Sequence, residues 1–321
     1  MITTLQYNSQ IGCKRFDGII DFDEMLTDRE STFWIDFTDP TEEESYILYS
    51  DFKFHPLIIE DTLESSNPKL DVFKEYLYMV FHTTDYIKQG ELVSREIDFF
   101  LSGNYVVTYH KKSFPILERL SQRCTRDDRI LSRGADFLFH TIVDNLVDEY
   151  NKTLKLVAET IDKYEEEIFS GDPDRELLRN IFELKEDIAE LKRTALAQRD
   201  IMWRFSRGEY KLTRPESFIY FRDIHDHLSY VNDRADHFSS LLTTVMEAFF
   251  SVSSDKTNRI MKTLTVFTAL LLPMSVIASI YGMNFVHMPE LDWDMGYYFA
   301  IGLMLAVAGI TLVIFKRKGW L

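Results

Sequence analysis

The chain has 321 residues, with 36 Lys+Arg against 52 Asp+Glu and a formal net charge of −16. Hydrophobic residues make up 45% and charged residues 27%, which excludes a disordered polyelectrolyte and leaves ample material for a core. The acidic balance excludes nucleic acid as a main partner, because phosphate repels it, and favours cations.

The first third reads as mixed α/β. Phe33–Phe37 (FWIDF), Tyr76–His82 (YLYMVFH), Glu96–Leu101 (EIDFFL) and Tyr105–His110 (YVVTYH) are β-branched and aromatic runs, and predict strands. Ser102-Gly103-Asn104 between the last two is a hairpin signal. Thr41–Tyr49 and Pro56–Ser65 predict short helices, each opening after a turn or capping residue. Cys13 and Cys124 form no metal-binding or disulfide pattern and read as reduced thiols. The N-terminal MITTLQYNSQ has neither a basic nor an apolar signal region.

After Gly134 neither Gly nor Pro occurs until Gly171, and none occurs in 174–207. The ELKEDIAELKR stretch has opposite charges at i,i+4. A long antiparallel helix pair is expected, turning at Ser170–Pro173, with Glu165-Glu166-Glu167 near its tip. Gly208 ends the second helix. No further glycine occurs before Gly282, so Glu216–Ile280 predicts one helix of about 100 Å. Such a helix needs partners along its length; with two spans per chain, other copies of the chain are the simplest.

No Asp, Glu, Lys or Arg lies between Lys262 and Glu290, nor between Asp294 and Lys316. Thr263–Tyr281 and Met295–Phe315 are therefore expected to span a bilayer, which needs roughly 20 apolar residues. Lys256, Arg259 and Lys262 precede the first span, and Lys316, Arg317 and Lys318 follow the second. The loop Asn284–Asp294 holds only Glu290, Asp292 and Asp294. The positive-inside rule then places both termini in the cytoplasm of a cell membrane and the loop outside. Trp293, Tyr297 and Tyr298 fit an outer interfacial belt and Trp320 an inner one. The expected architecture is an α+β membrane protein: a cytosolic α/β domain over 1–133, a long-helix region over 134–261, and a transmembrane domain over 262–321.

Asn258, Met261, Thr265, Thr268, Leu272, Ser275 and Ser279 alternate spacings of three and four, which puts them on one helix face. This stripe is polar or small and uncharged. Two readings compete: helix packing through small residues, and a pore formed by several copies. Mg2+ sheds its water reluctantly, so a tube without carboxylates suits a cation that keeps its hydration.

The first span ends in Tyr281-Gly282-Met283-Asn284, followed by Phe285 and Met288-Pro289-Glu290-Leu291. YGMNF…MPEL between two C-terminal spans, with a basic tail, resembles the CorA family of magnesium transporters. Lys256-Thr257-Asn258 and Tyr220-Phe221-Arg222-Asp223 extend the resemblance across essentially the whole chain. It implies a homopentameric channel in membrane lipid for Mg2+, with Co2+ and in some members Ni2+, and no organic cofactor. Its selectivity ring falls on Gly282, Met283 and Asn284. Its pore lining falls on Asn258, Met261, Leu264, Thr268, Leu272, Ser275 and Ser279, nearly the stripe already found, with Leu272 and Met261 as hydrophobic constrictions. Some members carry Gly where this chain has the bulkier Ser279. Glu247 stands at the acidic cytosolic mouth. The resemblance also implies regulatory Mg2+ between neighbouring subunits, with Asp223 as one ligand and Asp85 as the candidate partner carboxylate. Residues 1–261 hold 49 acidic and 32 basic side chains, so a divalent cation would offset repulsion across subunit interfaces.

Two alternatives remain. His225, His227 and His237 beside Asp223, Asp226, Asp233 and Asp236 suit zinc, and related zinc transporters share the Gly-Met-Asn motif. A membrane-anchored scaffold that conducts nothing is the other. No GxSxG, P-loop or HExxH motif supports an enzyme.

Overall fold

The computed structural model describes every residue except 19, 20, 88–90, 171, 172, 285–287, 290–292 and 321. Part of the expected turn at 170–173, and Phe285, Glu290, Leu291 and Asp292, lie outside the described residues. The chain divides into two units, Met1–Met246 and Glu247–Leu321.

The first unit opens with the hairpin β1 (Ile2–Asn8) and β2 (Gly12–Asp17), then the short α1 (Phe22–Thr27), β3 (Ser31–Thr38), α2 (Glu42–Ser50) and α3 (Pro56–Leu63). Thr41 caps α2 in a full capping box with Glu44, and Pro56 starts α3 at a position where its missing N–H costs nothing. Next come β4 (Lys69–Val72), the long hairpin strands β5 (Tyr76–Ile87) and β6 (Glu91–Ser102), β7 (Tyr105–His110) and α4 (Pro115–Cys124). The seven strands form one sheet in the order β2-β1-β3-β7-β6-β5-β4, antiparallel except for the parallel pair β3–β7.

The period of two sorts β5 between two cores. Tyr78 and Val80 join Phe37, Phe54, Phe100 and Val107 beneath α1–α3. Leu77, Met79 and Phe81 are equally buried but outside that cluster. The opposite face is covered by the long helices α5 (Ala135–Ser170) and α6 (Arg175–Ser206), where the Phe99 ring meets Phe139 edge-on at 5.3 Å. Polar bonds fix this layer. Tyr150 Oη and Gln198 Nε2 both donate to the His82 carbonyl, at 2.7 and 2.8 Å, and Thr153 Oγ1 donates to the Thr84 carbonyl at 2.7 Å.

Helix α7 runs over Phe218–Tyr281. Phe221, Ile224, Leu228, Val231, Ala235, Phe238, Leu242, Val245 and Phe249 are all buried. Their alternating spacing of three and four makes a heptad seam, the pattern by which helices pack side by side. Asp136 near the start of α5 is bonded to Ser217 and Arg214, just before α7, and Asp144 faces His227. Contacts advance together along both chains, so α5 and α7 run parallel. Lys192 pairs with Asp236, and Lys185 with Thr243, so α6 runs the other way.

The second unit contains the C-terminal part of α7 and α8 (Gly296–Arg317). Both helices are long and apolar enough to cross a membrane.

Candidate functional site

The membrane part of α7 has two unlike faces. Val266 is buried, and Leu270, Pro273, Met274, Ile277 and Tyr281 are half-buried. On α8, Gly296 and Ala300 are buried, and Met304, Val307, Thr311 and Phe315 half-buried. Each set follows helical spacing. Within this unit the described helices can only cover one another, so these are the faces α7 and α8 turn together. At about 100° per residue, Asn258, Met261, Thr265, Thr268, Leu272, Ser275 and Ser279 centre on the opposite side of α7. All seven are exposed, as is Leu264, with Leu272 at 62% and Met261 at 60%. Thr268, Leu272, Ser275 and Ser279 line a single groove with Met283.

The threonine hydroxyls have a defined polarity. Thr265 Oγ1 donates to the Met261 carbonyl at 2.7 Å and Thr268 Oγ1 to the Leu264 carbonyl at 2.9 Å. With the proton turned inward, the oxygen lone pairs face outward as acceptors. Such acceptors suit the hydrogens of a cation's water shell rather than the bare ion.

The Gly282 N–H bonds the Ala278 carbonyl at 3.0 Å and Met283 N–H bonds that of Ile280 at 3.2 Å, finishing α7. Neither Gly282 nor Asn284 has a positive φ, so the helix does not end in a left-handed cap. The glycine serves close approach instead: a Cβ there would stand 3.2 Å from the Ala278 oxygen. Asn284 follows, exposed. Glu247 is exposed on α7, eleven positions before Asn258.

In the first unit, Asp223 stands in a group the spacing did not reveal. Its carboxylate, that of Asp144 on α5 and the His227 imidazole bring their ligand atoms within 4.8 Å of one another. His227 Nδ1 is 3.7 Å from Asp144 Oδ1, and Nε2 is 4.0 Å from Asp223 Oδ2. Burial, followed by the nearby Asp148 and Asp223 charges, raises the Asp144 carboxyl. Sequence inspection singled out Asp223 and His227 but passed over Asp144. The available signal was the His140/Asp144 pair at i,i+4 on α5. Asp85, on β5, is held by Arg95 at 2.6 Å. His225 bonds Asp226 at 2.9 Å and its ring lies 5.1 Å from that of Trp203, while the His237 ring lies beside Phe238. The stalk histidines therefore do not converge on one centre.

Residues 29–317 match the family model described as CorA-like Mg2+ transporter protein. The chain is similar to the cobalt/magnesium transport protein CorA of Thermotoga maritima, with 33% identity over 84% of this chain and 78% of that protein. It is 24% identical to the cobalt/magnesium transport protein CorA of Methanocaldococcus jannaschii, over 93% of this chain and 94% of that one. The complete structure of the CorA magnesium transporter from Methanocaldococcus jannaschii has the same fold, with a TM-score of 0.85, 22% identity, and coverage of 99% of this chain and 98% of that one. With the family model spanning nine-tenths of its length, the chain belongs to the CorA-like Mg2+ transporter family.

Proposed function

We propose that this chain is one subunit of a homopentameric channel that carries divalent cations, Mg2+ and Co2+ foremost and also Ni2+, passively into the cell. Family membership supports divalent-cation transport, and the relatives named above are cobalt/magnesium transport proteins. The observation that carries the pore reading is the orientation of the stripe: uncharged, hydroxyl-bearing, and on the α7 face turned away from α8. Helix packing inside one chain does not use that face. Copies of α7 set around an axis would use it.

In this reading Asn284 amide oxygens form a ring at the outer mouth and accept hydrogen bonds from the hydrated ion, with Gly282 and Met283 shaping the ring. Met261 and Leu272 are narrow apolar rings that close by dewetting. Asn258, Leu264, Thr268, Ser275 and Ser279 line the rest, and Glu247 concentrates cations at the cytosolic mouth. Both termini lie in the cytoplasm, as the basic residues flanking the spans favour.

Cytosolic Mg2+ closes the channel by binding Asp223 at a boundary between subunits. Asp85 is the partner carboxylate, exchanging Arg95 for the cation. Loss of the ion leaves like charges opposed and loosens the ring.

The test is Mg2+ uptake into proteoliposomes with internal Mg2+ varied. Asn284→Ala abolishes flux while the protein still assembles, and Asp223→Lys keeps flux but weakens inhibition by internal Mg2+. Unchanged flux in Asn284→Ala refutes the filter, and unchanged inhibition in Asp223→Lys removes that residue from the regulatory site.

A further inference from the structure

Strand β3 sends Phe33, Ile35 and Phe37 into the core beneath α1–α3. The alternate positions Trp34, Asp36 and Thr38 face the other way. A carboxylate in the middle of a covered sheet is costly unless it is bonded or used. Asp36 stands opposite Thr3 on β1 and Thr108 on β7. Thr108 Oγ1 donates to Oδ1, Thr38 Oγ1 donates to Oδ2 at 2.8 Å, and His110 Nε2 lies 3.1 Å from Oδ1. Burial pushes the Asp36 pKa up, but the His110, Thr108 and Thr38 contacts outweigh it and hold the carboxyl below its usual value. Oδ2 carries one of these bonds and so keeps acceptor capacity. The side chain is still 19% exposed.

Asp36 opens onto a cavity of about 240 Å3 between the sheet and α4. Leu5 and Trp34 from the sheet and Phe114 and Leu117 from α4 line it, and all four are buried. Glu118 and Ser121 of α4 line it as well. Ser121 is 8% exposed, and its hydroxyl has no hydrogen-bond partner among the described residues. An orphaned buried hydroxyl calls for a ligand or a water. The cations at the rim are already compensated. Arg15 pairs with Asp17 at 3.0 Å and the N-terminal ammonium with Glu44 at 2.8 Å. Glu118 is in no ion pair among the described residues. The cavity therefore offers acceptors and uncompensated negative charge beside apolar walls.

We propose that this cavity binds a small aliphatic diamine in its ammonium form. Asp36, Ser121 and Glu118 accept its N–H bonds, and Leu5, Trp34, Phe114 and Leu117 cover its methylene chain. Charge-assisted bonds to carboxylates give such a ligand its strongest contacts. The volume far exceeds the roughly 10–15 Å3 that one water needs and falls short of the about 300–1,000 Å3 of larger organic sites. Among the described residues Asp36 and Glu118 belong to no group of three converging metal ligands, so an organic cation suits the cavity better than a bare metal ion. The site lies within the first unit and needs no conduction.

Putrescine is the probe. It is titrated by calorimetry into full-length protein in detergent, with excess Mg2+ and roughly 0.15 M salt to screen loose attraction to the acidic surface. The expected result is saturable binding at one putrescine per chain, about tenfold weaker in Glu118→Gln and in Ser121→Val, which fills the cavity beside the hydroxyl's position. Tetramethylammonium, which has charge but no N–H, and butanediol, which has length but no charge, should not compete. Binding should persist in Asn284→Ala whatever that variant does to flux, so failure of the channel reading and failure of this one are separable. A wild-type protein that binds no putrescine, or that binds tetramethylammonium or butanediol equally well, overturns the site, and neither result depends on a variant folding. Undiminished binding in both folded variants overturns it as well.

Discussion

The Arg214 guanidinium lies against the Asp136 carboxylate at the junction where α5 begins and the chain enters α7. Nε is 3.1 Å from both carboxylate oxygens, the Arg214 N–H donates to Oδ2 at 3.0 Å, and Ser217 Oγ donates to the same oxygen at 2.6 Å. Asp136 is 3% exposed. Burial pushes its pKa up, but the Arg214 and Ser217 bonds outweigh burial and hold it below the ordinary value. A lowered carboxyl contributes stability that is present above its unfolded pKa, near 3.9, and lost as pH falls through that range. Arg214→Ala strands the carboxylate. The guanidinium is half exposed and three other donors remain, the backbone N–H groups of Arg214 and Phe137 and the Ser217 hydroxyl, so the cost is about 2 kcal/mol rather than the larger penalty of a fully buried pair. Thermal unfolding in detergent at pH 7 should show it, and the difference from wild type should shrink as the pH approaches 4.

Asp98 behaves in the opposite way. It is buried on β6 and accepts a hydrogen bond from Tyr78 Oη at 2.7 Å. Burial raises its pKa well above the usual carboxylate range despite the Tyr78 bond. The native state then holds a proton that the unfolded chain releases, so stability falls as pH rises above the unfolded pKa, until the native carboxyl itself ionises. Asp98→Asn keeps the acceptor and removes the titration. Denaturation midpoints at pH 5 and pH 8 should differ less in the variant than in wild type, with the variant more stable at pH 8.

Gly208 ends α6 with a φ of +69°, and a Cβ on it would meet the Phe218 ring at 2.3 Å. That ring opens α7 and leaves no room to retreat. Gly208→Ala combines left-handed strain with overpacking, each worth about 1–3 kcal/mol. The expected outcome is a clear drop in melting temperature.

Leu272 offers the sharpest test of gating by dewetting. Replaced by Ser, the apolar ring would become wettable. Proteoliposomes of Leu272→Ser should leak Mg2+ several-fold faster than wild type at high internal Mg2+, the condition under which the proposed regulation closes the wild type. Flux equal to wild type in both states would show that no constriction lies there.

How much of this was readable in advance follows from what each element buries. FWIDF, YLYMVFH, EIDFFL and YVVTYH announce β3, β5, β6 and β7 because central strands are covered on both faces and need unbroken apolar runs. β2, with the sequence GCKRFD, is an edge strand that is exposed along most of its length. It has no face to hide, and so no pattern. The other edge strand, β4, has only the four residues KLDV, mostly half-buried, and is too short to show an alternation. The long helices, the capped α2 and the apolar spans were legible from local rules alone. The seam from Phe221 to Phe249 obeys the same spacing as the membrane stripe and is open to the same test. The grouping of Asp144 with Asp223 and His227 was not legible. It depends on the parallel registration of α5 and α7, which no local pattern in either helix encodes.

The account stands on the α7 stripe facing a shared water-filled axis. The direct measurement is single-cysteine scanning of α7 in a background lacking Cys13 and Cys124, using a membrane-impermeant thiol reagent on protein in lipid vesicles. Cysteines at Thr268, Ser275 and Ser279 should react and block Mg2+ flux, and cysteines at Leu270 and Ile277 should not. Equal protection at all five positions, or reaction only on the Leu270–Ile277 face, would contradict it.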